Sequence, residues 1–358
     1  MAVTATGGSD YGMMSQLISD SAGIRQKLDT LTQQETTGRI ADTYAGLGAG
    51  ARTSLDLRPV MARQQVWQNG IDAATGQMTV AQTAMTQIQS VASNLVSQLN
   101  SLNGLDAESV DTIAASARQA LKQVAGLLDT KDGDTYVFAG QDTANPPVPD
   151  PDNITSSGFF TQIGAAVAGL GSNASTVTAS TLATASSNAA GTSPFSAALS
   201  QPASSIAAAT VETGQGQRTQ IGLIASANSF VTSTGTSTTG SYMRDVLRAL
   251  ATVGSLSSSQ MSAGGFTGLV QDVRTSLNGA ISAMGEDAGV LGNTQTQLGS
   301  LKTQIGDMST ALTTQVSSSE DVDMAATLTQ ITLTQTQLQA SYKLISGMQS
   351  LSLVQFLS

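Results

Sequence analysis

Two residue types are missing altogether: the 358-residue chain contains no cysteine and no histidine. That excludes disulfides, thiolate nucleophiles, Cys/His metal centres and every acid–base mechanism that runs through imidazole. Charge is scarce as well. Only 11% of residues are charged and 4% aromatic, and the balance is acidic, with a net charge of −10. A nucleic-acid partner is not expected of such a chain, because that surface needs to be basic. Long apolar runs are also absent. Polar residues interrupt every one well short of the roughly 18 positions of a membrane span. The start, MAVTATGGSDYGMMSQLISD, has no basic n-region and no long apolar core, so it does not read as a cleaved secretory signal.

What the chain does have is helical periodicity. Met78, Ala81, Met85, Ile88, Ala92, Leu95, Leu99 and Leu102 recur in alternating steps of three and four, a heptad seam. NGLDAESV then breaks the helix: Gly104 serves as a stop, and Asp106 with Ser109 offers a new start. Ile113, Ala117, Ala120, Val124 and Leu127 share one face of the next helix. Near the far end Leu291, Thr294, Leu298, Leu301, Ile305, Met308 and Leu312 repeat the pattern. A break at SSSED follows, and then Met324, Leu328, Ile331, Leu338, Tyr342 and Ile345. Leu17, Ile24, Leu28 and Leu31 form a similar seam at the start. Two matching ends most simply pair with each other.

The middle is different. No Lys or Arg lies between Lys131 and Arg218, and residues 143–210 are rich in Ala, Ser, Thr and Gly behind four closely spaced prolines. This stretch reads as a small β-rich or irregular insertion, or as partly disordered chain. DGDTYVFAG stands at its entrance. Asp132-Gly133 is a strong turn pair, and Tyr136, Val137 and Phe138 are strand formers, leading into Ala139 and Gly140. The expected strand partner is RTQIGLIASAN at 218–228, so that the two clamp the base of the insertion.

No candidate site for catalysis, a cofactor or a metal survives inspection. DTKDGD at 129–134 fails the spacing of a calcium loop and reads as a turn. GQGQRTQIG lacks the phosphate-cradle spacing and reads as a loop entering a strand. EDVD at 320–323 sets carboxylates at a helix start, where negative charge is favourable in any case. NIT and NAS match glycosylation sequons, a common coincidence in Ser/Thr-rich sequence. No nucleophile, base and oxyanion set can be assembled, so an enzyme is not expected. The terminal seams carry too much apolar surface to bury alone, and the expectation is that they pack against other copies or a partner.

Three stretches together resemble a known family. TLTQQETTGRIADTYAGLGAGARTSLDLR looks like the place where a terminal helix breaks before a long coiled coil. GDTYVFAG resembles a strand characteristic of flagellar junction proteins. SSSEDVDMAATLTQITLTQTQLQASYKLISGMQSLSLVQFL resembles a terminal assembly helix, with Glu320, Asp321 and Asp323 at its acidic start, Leu338, Gln339, Ala340, Ser341 and Tyr342 as its LQASY run, and Leu351, Leu353, Phe356 and Leu357 at its hydrophobic end. The chain resembles the flagellin superfamily of bacterial flagellar axial proteins, and within it the hook–filament junction proteins known as hook-associated protein 3. The likeness covers about 1–142 and 211–358. TGRIADTYAGLG departs from the family by lacking its usual Asn and acidic pair.

The resemblance implies a mainly α fold. Its N- and C-terminal helices would pair in a long coiled-coil-like bundle, with a small β-hairpin and an inserted outer domain. The implied divisions are 1–45 with 318–358 as terminal assembly helices disordered in the monomer, 46–142 with 211–317 as a helical body, and 143–210 as the outer insertion. The implied interface residues are Leu17, Ile24, Leu28, Leu31, Leu328, Ile331, Leu338, Tyr342, Ile345, Leu351, Leu353 and Phe356. Implied partners are the first hook–filament junction protein, flagellin, further copies of the chain in a ring, the flagellar type III export apparatus and an export chaperone. The implied location is extracellular, at the junction of hook and filament. A filament flagellin and a coiled-coil signalling adaptor are the alternatives. The adaptor gives no reason for the strand or the insertion.

Overall fold

The computed structural model describes residues 7–101 and 107–357, with side chains for 12–101 and 107–348. Leu102, Gly104 and Asp106, read above as a seam end and a helix break, lie outside the described residues, as do the side chains of Leu351, Leu353, Phe356 and Leu357. The described helices are α1 (Gly7–Thr37), α2 (Gly50–Ser101), α3 (Ala107–Leu128), α4 (Gly158–Ala168), α5 (Ala174–Ser186), α6 (Tyr242–Gly254), α7 (Phe266–Glu320) and α8 (Met324–Leu357). Four short strands form two antiparallel hairpins: β1 (Lys131–Asp132) with β2 (Thr135–Tyr136), and β3 (Thr210–Gly214) with β4 (Gln217–Gln220). The fold is mainly helical, with paired terminal helices, as the periodicity implies. The chain divides into two compact units, 66–305 and 1–65 with 306–358.

In the first of these units α2 and α7 lie antiparallel. Gln82 reaches the Ala288 carbonyl at 3.4 Å, Gln89 the Ile281 carbonyl at 3.3 Å, and Lys302 pairs with Asp72 at 2.5 Å. The heptad residues Met78, Met85, Ile88, Ala92, Leu95 and Leu99 of α2 are buried, as are Leu291, Leu298 and Ile305 of α7. Full burial of each large apolar side chain contributes about 1.5–3 kcal/mol. Met308 departs from its expected seam position: it is 57% exposed. The covered positions beyond Ile305 are Ser309, Leu312 and Val316, so the stripe steps by four rather than three at that point.

The insertion is not β-rich. Part of it is irregular, as expected, but its ordered elements are helical: α4, α5 and two short 3-10 turns at Ile154–Ser156 and Ala203–Ser205. The stretch NASTVTASTLATASS folds as α5 despite its β-branched residues because Asn173 caps the first turn, accepting from the Ser175 amide, and Val177, Thr181 and Ala185 recur on one buried face. Ser157 caps α4 in the same way through the Phe160 amide.

The TYVFAG stretch also differs in detail from the expected strand. Only Thr135 and Tyr136 pair as β2, with Asp132 and Lys131 across a turn in which Gly133 has φ +58°. Residues 218–220, the first part of the expected partner segment, pair with β3 instead. The clamp itself is present. The Tyr136 amide donates to Thr143, Gln141 to Ala207, and Ala225 to Phe138, at 2.9–3.1 Å, and Ala139 bridges to Ile224. Val137, Phe138 and Ala139 are buried. Gly140 has φ +63°, and a Cβ there would meet the Ala207 carbonyl at 2.8 Å, so only glycine fits where the two ends of the insertion close.

α6 is buried along its whole length even though one side of it is polar. Its charged residues are met by neighbouring chain. Asp245 accepts from Thr238 and Thr239, and Arg248 pairs with Asp272 at 3.2 Å. Tyr242 donates to Asp287 at 2.8 Å, and burial beside that carboxylate pushes the phenol well above its ordinary pKa.

Candidate assembly surface

The candidate site is in the unit made of 1–65 and 306–358. α1 and α8 pack against each other antiparallel. The end of α1 meets the start of α8 through a bridge between Arg39 and Asp321, and farther along Arg25 donates to Tyr342 and stands over its ring at 5.2 Å. The covered positions of α1 are Met14, Leu17, Ser21, Ile24, Leu28 and Leu31, in steps of three and four. Those of α8 are Thr327, Ile331, Thr334, Leu338, Ser341, Ile345 and Met348. The structure therefore brings together Leu17, Ile24, Leu28, Leu31, Ile331, Leu338 and Ile345. It leaves Leu328 at 47% and Tyr342 at 39% exposure, outside this seam. Hydroxyl-bearing residues occupy several covered positions, which the search for apolar periodicity alone could not show.

A second set of apolar side chains has no cover within the unit. Leu333 and Leu344 are 59% and 60% exposed. They stand 11 residues apart, close to three helical turns, and so share a face of α8 turned away from the covered seam. Met13 and Ile18 of α1, with Met324 of α8, are exposed too. Four of these five large side chains are at least half exposed, and they sit on a pair of helices already packed together along one seam. That is the form of an association surface rather than of scattered surface hydrophobics.

The turn between the helices is fixed by polar groups. α1 stops at Gly38, whose φ of +68° is the usual left-handed helix end. The Ile40 amide donates to the Glu320 carbonyl at 2.7 Å, and Val322 to Gly38 at 3.0 Å. Asp323 accepts from the amides of Ala325 and Ala326, so it caps α8 as the helix-start reading requires. Glu320 does something else. It ends α7, and its buried carboxylate takes both Arg58, with one contact at 2.8 Å, and Ser54. Hydrogen bonding from Arg58, then from Ser54, holds its pKa down to about 2. Gly50 is needed beside this pair, because a Cβ there would lie 2.8 Å from the Ser319 carbonyl. No sequence signal singled out Arg58 or Ser54. Their spacing of four along α2 was the available clue.

Tyr136, Val137, Phe138, Ala139 and Gly140 belong to the other unit, where they form core and clamp as described above. Among the described residues no group of His, Cys, Asp and Glu could hold a metal ion, and no helix is long and apolar enough to cross a membrane.

Residues 275–357, which comprise most of α7 and all of α8, match the family model described as the bacterial flagellin C-terminal helical region. No curated protein matches the chain. The match points to a structural rather than an enzymatic role. The matched region includes the helix that carries both the covered seam and the exposed leucines.

Proposed function

We propose that the chain is a structural subunit of the bacterial flagellum that forms the junction ring between hook and filament and templates flagellin assembly. The observation that carries this reading is the uncovered apolar face of α8, with Leu333 and Leu344, inside the region that matches the flagellin C-terminal model. A helix covered on one face by α1 and bare on another is built to receive more helices. The junction position rests on TYVFAG and its resemblance to junction proteins.

In this reading 1–45 and 318–358 are assembly segments that order fully only on incorporation, 46–142 with 211–317 is the body, and 143–210 faces outward. Leu351, Leu353 and Phe356 extend the contact at the end of α8. The neighbours are other copies, the first hook–filament junction protein and flagellin. The chain reaches them through the flagellar type III export apparatus, escorted by an export chaperone. A filament flagellin is the second reading, supported by the match of residues 275–357 to the flagellin C-terminal helical region.

Immunogold electron microscopy of intact cells separates the two. Label confined to a narrow band where hook meets filament is expected. Label along the whole filament means a flagellin, and a flagellum without label removes both readings.

A further inference from the structure

The chain has 12 methionines and no cysteine, and the methionines are sorted by exposure. Met78, Met85, Met243 and Met284 are sealed in the unit 66–305, none more than 1% exposed. Met14, Met61, Met261 and Met348 are half-buried. Among the described residues, the methionines that stand open are Met13, Met308 and Met324, and all three belong to the unit made of 1–65 and 306–358. Two of them, Met13 on α1 and Met324 on α8, are part of the uncovered apolar set, at 58% and 41% exposure. Leu328, one helical turn beyond Met324, is open as well.

A thioether packs densely and without charge, so it suits a face that receives other helices. Leucine would do the same. Methionine differs in one respect, which is that an exposed sulfur can be oxidised. A hydroperoxide transfers one oxygen atom to it. The peroxide O–O bond breaks, a sulfur lone pair forms the new S–O bond, the sulfur is oxidised by two electrons, and the other peroxide oxygen leaves as water, or as an alcohol from an organic hydroperoxide.

The product is a strong hydrogen-bond acceptor on a side chain that assembly would bury. Burying an acceptor without a donor is costly. Little on α8 could supply one. The nearest charged group, Asp323, is itself an acceptor, already engaged with the amides of Ala325 and Ala326. The single charged residue among the 34 of α8 is Lys343, about five turns from Met324.

We propose that Met13 and Met324 are oxidation sites that govern assembly. A hydroperoxide converts them to sulfoxides in the free subunit and so keeps it out, and incorporation shields them. A sulfoxide reductase reverses the block. The proposal rests on the reading of α1 and α8 as assembly helices.

Hydrogen peroxide, applied in parallel to the free full chain and to purified flagella, tests it, with sulfoxide at each methionine read by peptide mass spectrometry and a methionine-containing peptide added to both samples to report the oxidant. In the free chain Met13 and Met324 are expected to oxidise at least about tenfold faster than Met78 and Met85, and in flagella at least about fivefold slower than in the free chain. Two double variants complete the test. Met13→Leu/Met324→Leu should incorporate as the wild type does and go on doing so from peroxide-treated cells. Met13→Gln/Met324→Gln, polar at both sites from the start, should incorporate at least about fivefold less with an unchanged melting curve. Equal oxidation of Met13 and Met324 in the two samples, or normal incorporation of the Gln pair, would overturn the proposal while leaving the assembly reading intact. Absence of the chain from purified flagella would overturn both.

Discussion

The double variant Leu333→Asp/Leu344→Asp folds as the wild type does and fails to enter flagella. Both side chains are already more than half exposed in the single chain, so carboxylates there meet water and change the stability of the subunit by no more than about 0.5 kcal/mol. In an assembly that buries this face, two charges would be stranded without partners, a penalty of several kcal/mol and enough to stop incorporation. Circular dichroism checks the first half and immunoblotting of purified flagella the second. Normal incorporation would mean that this face of α8 meets nothing. Leu338→Asp/Ile345→Asp is the contrasting pair. Those residues lie in the seam between α1 and α8, so the charges should separate the two helices even in the free subunit.

Glu320→Gln weakens the unit formed by 1–65 and 306–358 at neutral pH and removes its acid sensitivity. The carboxylate of Glu320 is ionised down to about pH 2, against an ordinary value of 4.5. A depressed carboxylate stabilises the folded state above its unfolded pKa and loses that contribution as pH falls through the folded one. The wild-type unit should therefore loosen between about pH 4.5 and pH 2, and the Gln variant should show no transition there from this group. The loss at pH 7 is about 1 kcal/mol, less than a buried hydrogen bond to a charged group contributes, because the Arg58 side chain is 44% exposed and can be rehydrated. Protease susceptibility of the α1–α8 pair, followed against pH, measures both. An identical acid profile in the two proteins would show that the Arg58–Glu320 pair does not hold the turn.

The long pairings were legible because apolar residues at steps of three and four have one physical solution, and the stripes of α2 and α7, aligned so that Gln82 meets Ala288 and Gln89 meets Ile281, are that solution. The clamp at the base of the insertion was legible too, from aromatic strand formers next to a DG turn. Three features were not. α5 is a helix because an asparagine cap and tertiary packing override the preferences of Val177, Thr178 and Thr181. α6 has the pattern of a surface helix, and what makes it core is the chain that meets its polar side: the loop from 226 to 241, α5 with the residues after it, and Asp272 of α7. Glu320 has the sequence signature of a helix start, yet a residue far away in the chain, Arg58, decides its role. The exposed face of α8 was hidden for a related reason: the terminal segment is apolar on more than one side, and the sequence alone does not tell which side α1 covers.

A photoreactive amino acid placed at position 344 in cells assembling flagella interrogates that face most directly. Irradiation should join the chain to further copies of itself, to flagellin or to the first junction protein, giving adducts larger than the monomer in purified flagella. Adducts confined within one chain, or none at all, would contradict assembly through α8.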